Sequence, residues 1–208
     1  MRRLLAAIAI VLAVGVSGAL AAARAPRPRR KPPAAKPPAL HAPTEKEIAA
    51  ARKAGKVMVA LKTDKGTITL ELDGAAAPTA VANYLNLIKT GFYDGMPFHR
   101  VEPGFVIQAG DPSLVGRPPA GYTVPDERSP IKHTRGVIAM ARSYRGNEMV
   151  PNSASTEFYI CLGDAPHLDR LGFTAFGEIT NGIDVIDRIQ RGDKIRKASI
   201  LPAAGPRR

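Results

Sequence analysis

The sequence predicts a mainly β domain, built as a closed eight-stranded antiparallel β-barrel capped by two α-helices. Eight short strand-like segments between residues 57 and 201 support this fold class, and in the first two of them apolar residues alternate with polar or small ones. Two further segments have the apolar spacing of amphipathic helices. The composition, 45% hydrophobic and 23% charged, is ordinary for a globular protein. A chain of 208 residues therefore has room for one such domain and additional segments.

Residues 1–23 have the pattern of a targeting segment. Two arginines precede an unbroken small and apolar run, and Ala19 and Ala21 provide the small residues of a signal-peptidase site. We expect export with cleavage before Ala22, and hence a periplasmic location. An uncleaved membrane anchor is the alternative, since the run is long enough to span a bilayer. The basic residues that follow the run oppose translocation.

The next segments connect this run to the domain. Residues 24–43 hold seven prolines and six basic residues, a composition typical of an extended linker that could contact anionic envelope surfaces weakly. Residues 44–56 are a short helical lead-in, because Thr44 and Glu47 have the spacing of a capping box. The domain then covers residues 57–201, and residues 202–208 are a C-terminal tail.

The charge distribution argues against nucleic acid as a partner. The formal net charge is +12, yet residues 57–200 contain sixteen Lys and Arg against sixteen Asp and Glu. The excess positive charge therefore lies near the two ends of the chain, and no basic face is expected on the domain.

The elements of the domain follow in order from local patterns. Apolar alternation over residues 57–61 and 68–72, around a turn at residues 64–66, predicts a β-hairpin. Pro78 and Thr79 open a helix that Gly91 closes. Further strands are predicted at residues 98–101, 105–109, 136–142, 157–162, 173–179 and 197–201, with a second helix at residues 183–190.

The sequence gives no support for a disulfide framework, a zinc site or a hydrolase. A single cysteine excludes an internal disulfide framework, and the four histidines lack the spacing of a zinc site. Ser153 and Ser155, with His167 and Asp169, could be imagined as a hydrolase triad, but there is no nucleophile elbow. The unusual feature is instead a set of polar and aromatic residues on predicted strands, and alternation places Glu157 on the same face as Tyr159.

These strands lie within motifs that identify a family. The runs GFYDGMPFHRV (91–101) and PGFVIQAGDP (103–112) are followed by GVIAMA (136–141), PNSAS (151–155), FYI (158–160), LD (168–169) and FGEI (176–179). In order and spacing they resemble the cyclophilin family of peptidyl-prolyl cis–trans isomerases, over about residues 57–201. The resemblance implies a barrel of eight strands with a helix at each end, in agreement with the strand count.

The resemblance also implies roles for individual residues. Arg100 matches the catalytic arginine, Phe105 the aromatic floor of the proline pocket, and Gln108 the side chain that holds the substrate backbone. Ala141 and Arg142 match the edge segment that pairs with the bound peptide. The remaining positions of the substrate site are Val106, Glu157, Tyr159, Leu168 and Phe173.

Two departures from the family pattern bear on these roles. Glu157 replaces the usual glutamine and is expected to weaken catalysis without abolishing it. His167 replaces an aromatic residue, so we expect weak binding of cyclosporin. Without the resemblance, Arg100 would be read as a strand arginine paired with Glu157. Strand alternation predicts that His99 points away from the face of Arg100.

The resemblance implies an enzyme that accelerates rotation about X–Pro bonds. Together with the targeting pattern of residues 1–23, it leads us to expect an exported bacterial enzyme that acts on folding or unfolded envelope proteins. Such a reaction makes and breaks no covalent bond, so no metal or cofactor is expected. A non-catalytic module that binds or holds proline-containing polypeptides on the same fold is the alternative, because a fold does not fix a function.

Overall fold

The computed structural model describes residues 39–202, so the predicted targeting segment and most of the linker lie outside the described residues. The helices are α1 (Glu45–Ala54), α2 (Pro78–Lys89), α3 (Pro166–Arg170) and α4 (Ile183–Arg188), with a 3-10 turn at Pro112–Val115. The strands are β1 (Lys56–Thr63), β2 (Gly66–Asp73), β3 (Phe98–Glu102), β4 (Val106–Ala109), β5 (Val137–Met140), β6 (Tyr144–Arg145), β7 (Glu148–Met149), β8 (Phe158–Cys161), β9 (Ala175–Asn181) and β10 (Ile195–Ile200).

Eight of these strands form one antiparallel sheet in the order β10-β1-β2-β9-β5-β8-β4-β3. The predicted strand number and antiparallel pairing are confirmed, but the barrel is not fully closed. The edge strands β3 and β10 are joined by one isolated bridge, Pro97 with Lys194, and by a few neighbouring backbone hydrogen bonds. The sheet is therefore curled, with a short seam in place of a continuous ladder.

The sequence patterns explain the first hairpin and the main core. Val59 and Leu61 on β1 alternate inward and are fully buried, and the hairpin closes where Thr63 pairs with Gly66. Tyr84 of α2 packs against Tyr93, Phe158 and Phe176, which forms the aromatic centre of this core. Burial of large aromatic rings contributes much of the stability of such a core.

The N-terminus of α2 is capped from a distance. No side chain of the N-cap residue bonds to the helix, but the Glu127 carboxylate accepts hydrogen bonds from the backbone amides of Thr79 and Ala80 at 2.9 and 2.8 Å. These amides have no partner within the helix, and a negative charge is favourable at this end of a helix. The contact fixes the long loop before β5 against the helix.

α1 begins with the predicted capping box, in which the Thr44 side chain accepts from the Glu47 amide and the Glu47 carboxylate accepts from the Thr44 amide. The helix is more than a lead-in, because Ala51 is buried in the main core. Gly74 must be a glycine because a Cβ atom there would collide with the Ala51 carbonyl oxygen. No helix within residues 39–202 is long and apolar enough to cross a membrane.

A second, smaller core lies on the opposite side of β4, β5 and β8 from the main core. Its members include Val106, Ala139, Tyr159, Leu168 and Phe173. The predicted strand ends differ from the observed ones by at most two residues. Helix α3 and the β6–β7 hairpin were not predicted, and both border this second core.

Candidate active site

A cavity of about 330 Å³ opens over the second core. Nine of the ten site residues predicted from the sequence line it: Arg100, Phe105, Val106, Gln108, Ala141, Arg142, Tyr159, Leu168 and Phe173. Three residues that were not predicted as site residues, Tyr144, His167 and Leu171, complete the lining. A cavity of this size with few polar groups is typical of a small-ligand site.

Strand register explains why these side chains converge. Gln108 on β4 pairs with Tyr159 on β8, so the two residues share one face of the sheet. Phe158 and Ile160 point to the opposite face and belong to the main core. The predicted alternation of β8 is therefore confirmed. Gly110 ends β4 close to the chain before β8, where a Cβ atom would collide with the Thr156 carbonyl.

Arg100 lies at the mouth of the cavity with about half of its side chain exposed. Its guanidinium carbon is 5.7 Å from the centre of the Phe105 ring, and Nη1 donates to Gln108 Oε1 at 3.5 Å. Arg100 Nε also forms an ion pair with Glu102 Oε1 at 3.5 Å. The alternative interpretation of Arg100 as a partner of Glu157 is wrong, because Gln108 lies between the two.

Glu157 does not line the cavity, but it fixes Gln108. The Gln108 Nε2 group donates to Glu157 Oε2 at 2.8 Å, which leaves Gln108 Oε1 facing Arg100. The expectation that His99 points away from the face of Arg100 is wrong. The His99 Nε2 atom lies 3.4 Å from the same Glu157 oxygen that binds Gln108. The register of β3 shifts between Phe98 and Arg100, and this bulge breaks the alternation on which the expectation rested.

Aromatic rings form the floor and wall of the cavity. Phe105 stacks on His167 with ring centres 5.5 Å apart, and Phe173 meets Tyr159 edge to face at 5.9 Å. Leu168 is buried between these walls on α3. This apolar surface is suited to bind a small apolar ring, because the contact removes the ring from water.

Tyr159 is held by a buried network that the sequence analysis missed. Its hydroxyl lies 3.0 Å from His133 Nε2, and His133 Nδ1 lies 2.7 Å from Asp169 Oδ1. Burial lowers the pKa of His133, although the hydrogen bond to Asp169 opposes this shift. Burial favours a higher pKa for Asp169, but hydrogen bonds from His133 outweigh it and lower the pKa. The neutral imidazole thus donates to Asp169 and accepts from Tyr159.

The Arg142 side chain is buried and binds groups within the protein. Only 5% of it is exposed; Nε donates to Asp126 Oδ1 at 2.8 Å, and the guanidinium lies 4.8 Å above the Phe173 ring. The Ala141 amide donates to the Glu157 carbonyl at 3.0 Å. The Arg142 side chain therefore shapes the cavity wall, and the Ala141 amide is engaged within the protein.

The serines, His167 and Asp169 do not form a hydrolase triad. Asp169 is bonded to His133 and not to His167, and the Ser153 hydroxyl donates to the Val150 carbonyl at 2.6 Å. Burial raises the pKa of Cys161 to about 12, so its thiol is not a nucleophile at neutral pH. Within residues 39–202, no three His, Cys, Asp or Glu side chains come together as a metal site.

Comparison with known proteins decides the family. The model of the family described as "Cyclophilin type peptidyl-prolyl cis-trans isomerase/CLD" matches residues 58–203. The chain belongs to this family. Cyclophilins isomerise X–Pro peptide bonds, so the sequence prediction of a peptidyl-prolyl isomerase is confirmed at the level of the family.

Bacterial relatives and a solved cyclophilin support the assignment. A peptidyl-prolyl cis-trans isomerase of Helicobacter pylori (strain ATCC 700392 / 26695) is 43% identical over 139 residues, which cover 65% of this chain and 81% of the relative. One from Synechococcus elongatus is 38% identical over 146 residues, 69% and 96% of the two chains. The crystal structure of a Cryptosporidium parvum cyclophilin, obtained in the presence of the dipeptide Ala-Pro, has a TM-score of 0.61 and 26% identity, covering 70% of this chain and 99% of that one.

Proposed function

We propose that this cyclophilin accelerates X–Pro rotation in unfolded or folding polypeptides, with Arg100 as the catalytic residue. The observation that carries the proposal is the position of the Arg100 guanidinium at the mouth of an aromatic cavity, 5.7 Å from the Phe105 ring. The chemistry of the reaction explains why this arrangement is sufficient. Rotation about an X–Pro bond has a barrier of about 20 kcal/mol, because the C–N bond has partial double-bond character.

The twisted transition state differs from the ground state at the proline nitrogen. When the bond twists, resonance is lost and this nitrogen gains lone-pair density. A guanidinium donor then stabilises the twisted form more than either planar form, and such a difference accelerates a reaction. Arg100 carries a permanent charge on a planar group, so it can donate without a change of protonation.

The rest of the cavity would hold the substrate on one side of the rotating bond. Phe105, Leu168 and Phe173 would surround the proline ring, and Val106 and Tyr159 would close the pocket below it. Gln108 would hold the peptide backbone, since Glu157 fixes the orientation of its amide. Positioning of this kind lowers the barrier by restricting the substrate to reactive geometries.

The test compares Arg100→Ala with Arg188→Ala, which removes an arginine of similar exposure at α4. Cis–trans exchange in a short X–Pro peptide would be followed by NMR without any added cofactor. Arg100→Ala should lower kcat/KM by one to three orders of magnitude, about 1.4–4 kcal/mol of transition-state stabilisation. Arg188→Ala should retain the activity. Full activity in Arg100→Ala would rule out the catalytic role.

A non-catalytic binding module remains the second candidate, and the carboxylate of Glu157 beside Gln108 is the feature that favours it. A wild-type chain that binds proline peptides without accelerating exchange would establish this function instead. The relative crystallised in the presence of Ala-Pro supports proline-containing polypeptides as partners in either case.

We also propose that the clients are envelope proteins. Residues 1–23 have the composition of a signal segment, and cleavage before Ala22 would release a periplasmic enzyme. Retention of the segment would anchor the enzyme to the inner membrane. The basic linker would add weak contact with anionic envelope surfaces.

A further inference from the structure

Two exposed apolar side chains line the rim of the active-site cavity. Five large apolar residues of the described chain are exposed, and two of them, Tyr144 at 63% and Leu171 at 50%, belong to the cavity lining. They lie on different segments, Tyr144 on the β6–β7 hairpin and Leu171 directly after α3. We call this pair of residues the apolar rim.

Arg142 connects the two segments that carry the rim. Its Nη1 group donates to the Leu171 carbonyl at 3.0 Å and lies 3.5 Å from the Met149 sulfur on the hairpin, while Nη2 donates to the Gly172 carbonyl. The guanidinium also pairs with Asp126. A buried arginine with several donors engaged holds both segments at fixed positions.

The hairpin presents Tyr144 from a fixed base. Tyr144 pairs with Met149 across the hairpin, and Met149 packs against the second core below the cavity. The Val150 amide donates to the Ser143 carbonyl at 3.0 Å, which closes the base of the hairpin. The exposed ring therefore stands on an ordered element at the cavity mouth.

We propose that the apolar rim is a subsite for an apolar or aromatic side chain of the residue adjacent to the client proline. This proposal rests on the proposed function, which places the proline ring on the floor of the same cavity. An extended peptide advances only about 3.3–3.6 Å per residue, so the residue next to the proline lies at the mouth of the cavity. Contact with Tyr144 or Leu171 removes apolar surface of both partners from water.

The consequence is selectivity among X–Pro sequences. The floor of the cavity recognises the proline ring that all clients share, whereas the rim distinguishes clients by the neighbouring residue. A half-exposed contact excludes water only in part, so we expect a preference of about three- to tenfold for Phe over Gly, below that of an enclosed pocket.

The experiment uses the full chain and two series of short peptides. One series has Gly, Ala, Leu or Phe before the proline, and the other has the same residues after it. Exchange rates by NMR give kcat/KM, and titration of the same peptides gives Kd. At one of the two positions, the peptide with Phe should have a lower Kd than the peptide with Gly. Tyr144→Ser and Leu171→Ser should each reduce this difference in Kd.

Leu114→Ser is the matched control, because Leu114 is 49% exposed and does not line the cavity. It should retain the wild-type preference. A wild-type Kd ratio near one in both series, or a ratio that survives both rim substitutions, would overturn the rim proposal. Failure to accelerate any peptide would contradict the proposed function separately, because the rim is judged by Kd.

Discussion

At the scale of single residues, Glu157 is the departure with the clearest structural consequence. Its Oε2 atom accepts from Gln108 Nε2 at 2.8 Å and lies 3.4 Å from His99 Nε2. An ionised carboxylate only accepts hydrogen bonds, whereas a glutamine amide both accepts and donates them. The chain thus keeps the acceptor that orients Gln108 and loses a donor that could face a peptide carbonyl.

We predict that Glu157→Gln raises kcat/KM several-fold. The glutamine oxygen can still accept from Gln108, and its amide adds a donor worth about 1 kcal/mol, the scale of one net hydrogen bond. NMR exchange on an X–Pro peptide would measure the gain, with Glu178→Gln on β9 as a control for loss of a negative charge. Unchanged or lower activity would show that the carboxylate acts productively.

Much of the candidate site could be predicted from the sequence, because its residues lie on strands within ordered motifs. Arg100, Phe105 and Gln108 line one cavity as the resemblance implies. His133 was missed because its partners, Tyr159 and Asp169, are 26 and 36 residues away along the chain. Only the fold brings such residues together.

At the scale of elements, the His133 network joins the loop before β5 to β8 and α3. The ring of His133 is almost fully buried and bonds to one residue on each of these two elements. A satisfied buried network fixes the relative positions of the elements that it connects. In this cyclophilin it fixes the wall that carries Tyr159 and the helix that carries Leu168.

We predict that acid weakens the fold through His133. Its pKa is lowered in the folded state, chiefly by burial, so the unfolded chain takes up a proton first as the pH falls below about 6.5. Stability is therefore present above this pH and declines as the pH falls toward the lowered pKa, by at most about 1.4 kcal/mol per pH unit for one proton. The lowered pKa of Asp169 acts in the same direction at more acidic pH.

His133→Phe tests this prediction by urea unfolding at pH 7.5, 6.5 and 5.5. The variant leaves Tyr159 and Asp169 without this partner, so we expect about 1–3 kcal/mol lower stability at pH 7.5. Between pH 7.5 and 5.5, the free energy of unfolding of the variant should also fall less than that of the wild type. The other histidines are common to both proteins, so the difference between the two pH dependences reports His133. Parallel pH dependences would contradict the assignment.

Element prediction succeeded where patterns were long and failed where they were short. The first hairpin and α2 follow from alternation and from the Pro78 and Gly91 signals. The β6–β7 hairpin has two residues in each strand and α3 has five residues, too few to establish a periodicity. The incomplete seam between β3 and β10 depends on long-range pairing that no local pattern encodes.

At the scale of the whole molecule, charge and composition separate the enzyme from its N-terminal extension. Residues 57–200 are balanced at sixteen basic and sixteen acidic residues, whereas residues 24–43 carry six basic residues and no acidic one. A domain of balanced charge exerts little long-range attraction on polyanions, whereas a basic segment attracts them. We therefore expect any weak contact with an anionic surface to involve the linker.

We predict that the full chain, expressed in a Gram-negative bacterium, yields a periplasmic protein that begins at about Ala22. The small residues Ala19 and Ala21 match a cleavage site after the apolar run. Cell fractionation and intact-mass measurement would locate the protein and its N-terminus. Ala21→Leu should block cleavage, whereas Ala13→Leu within the run should not. A full-length species found only with membranes would indicate an anchor, and a full-length species in the cytosol would refute export, because each requires that the signal-peptidase site is not used.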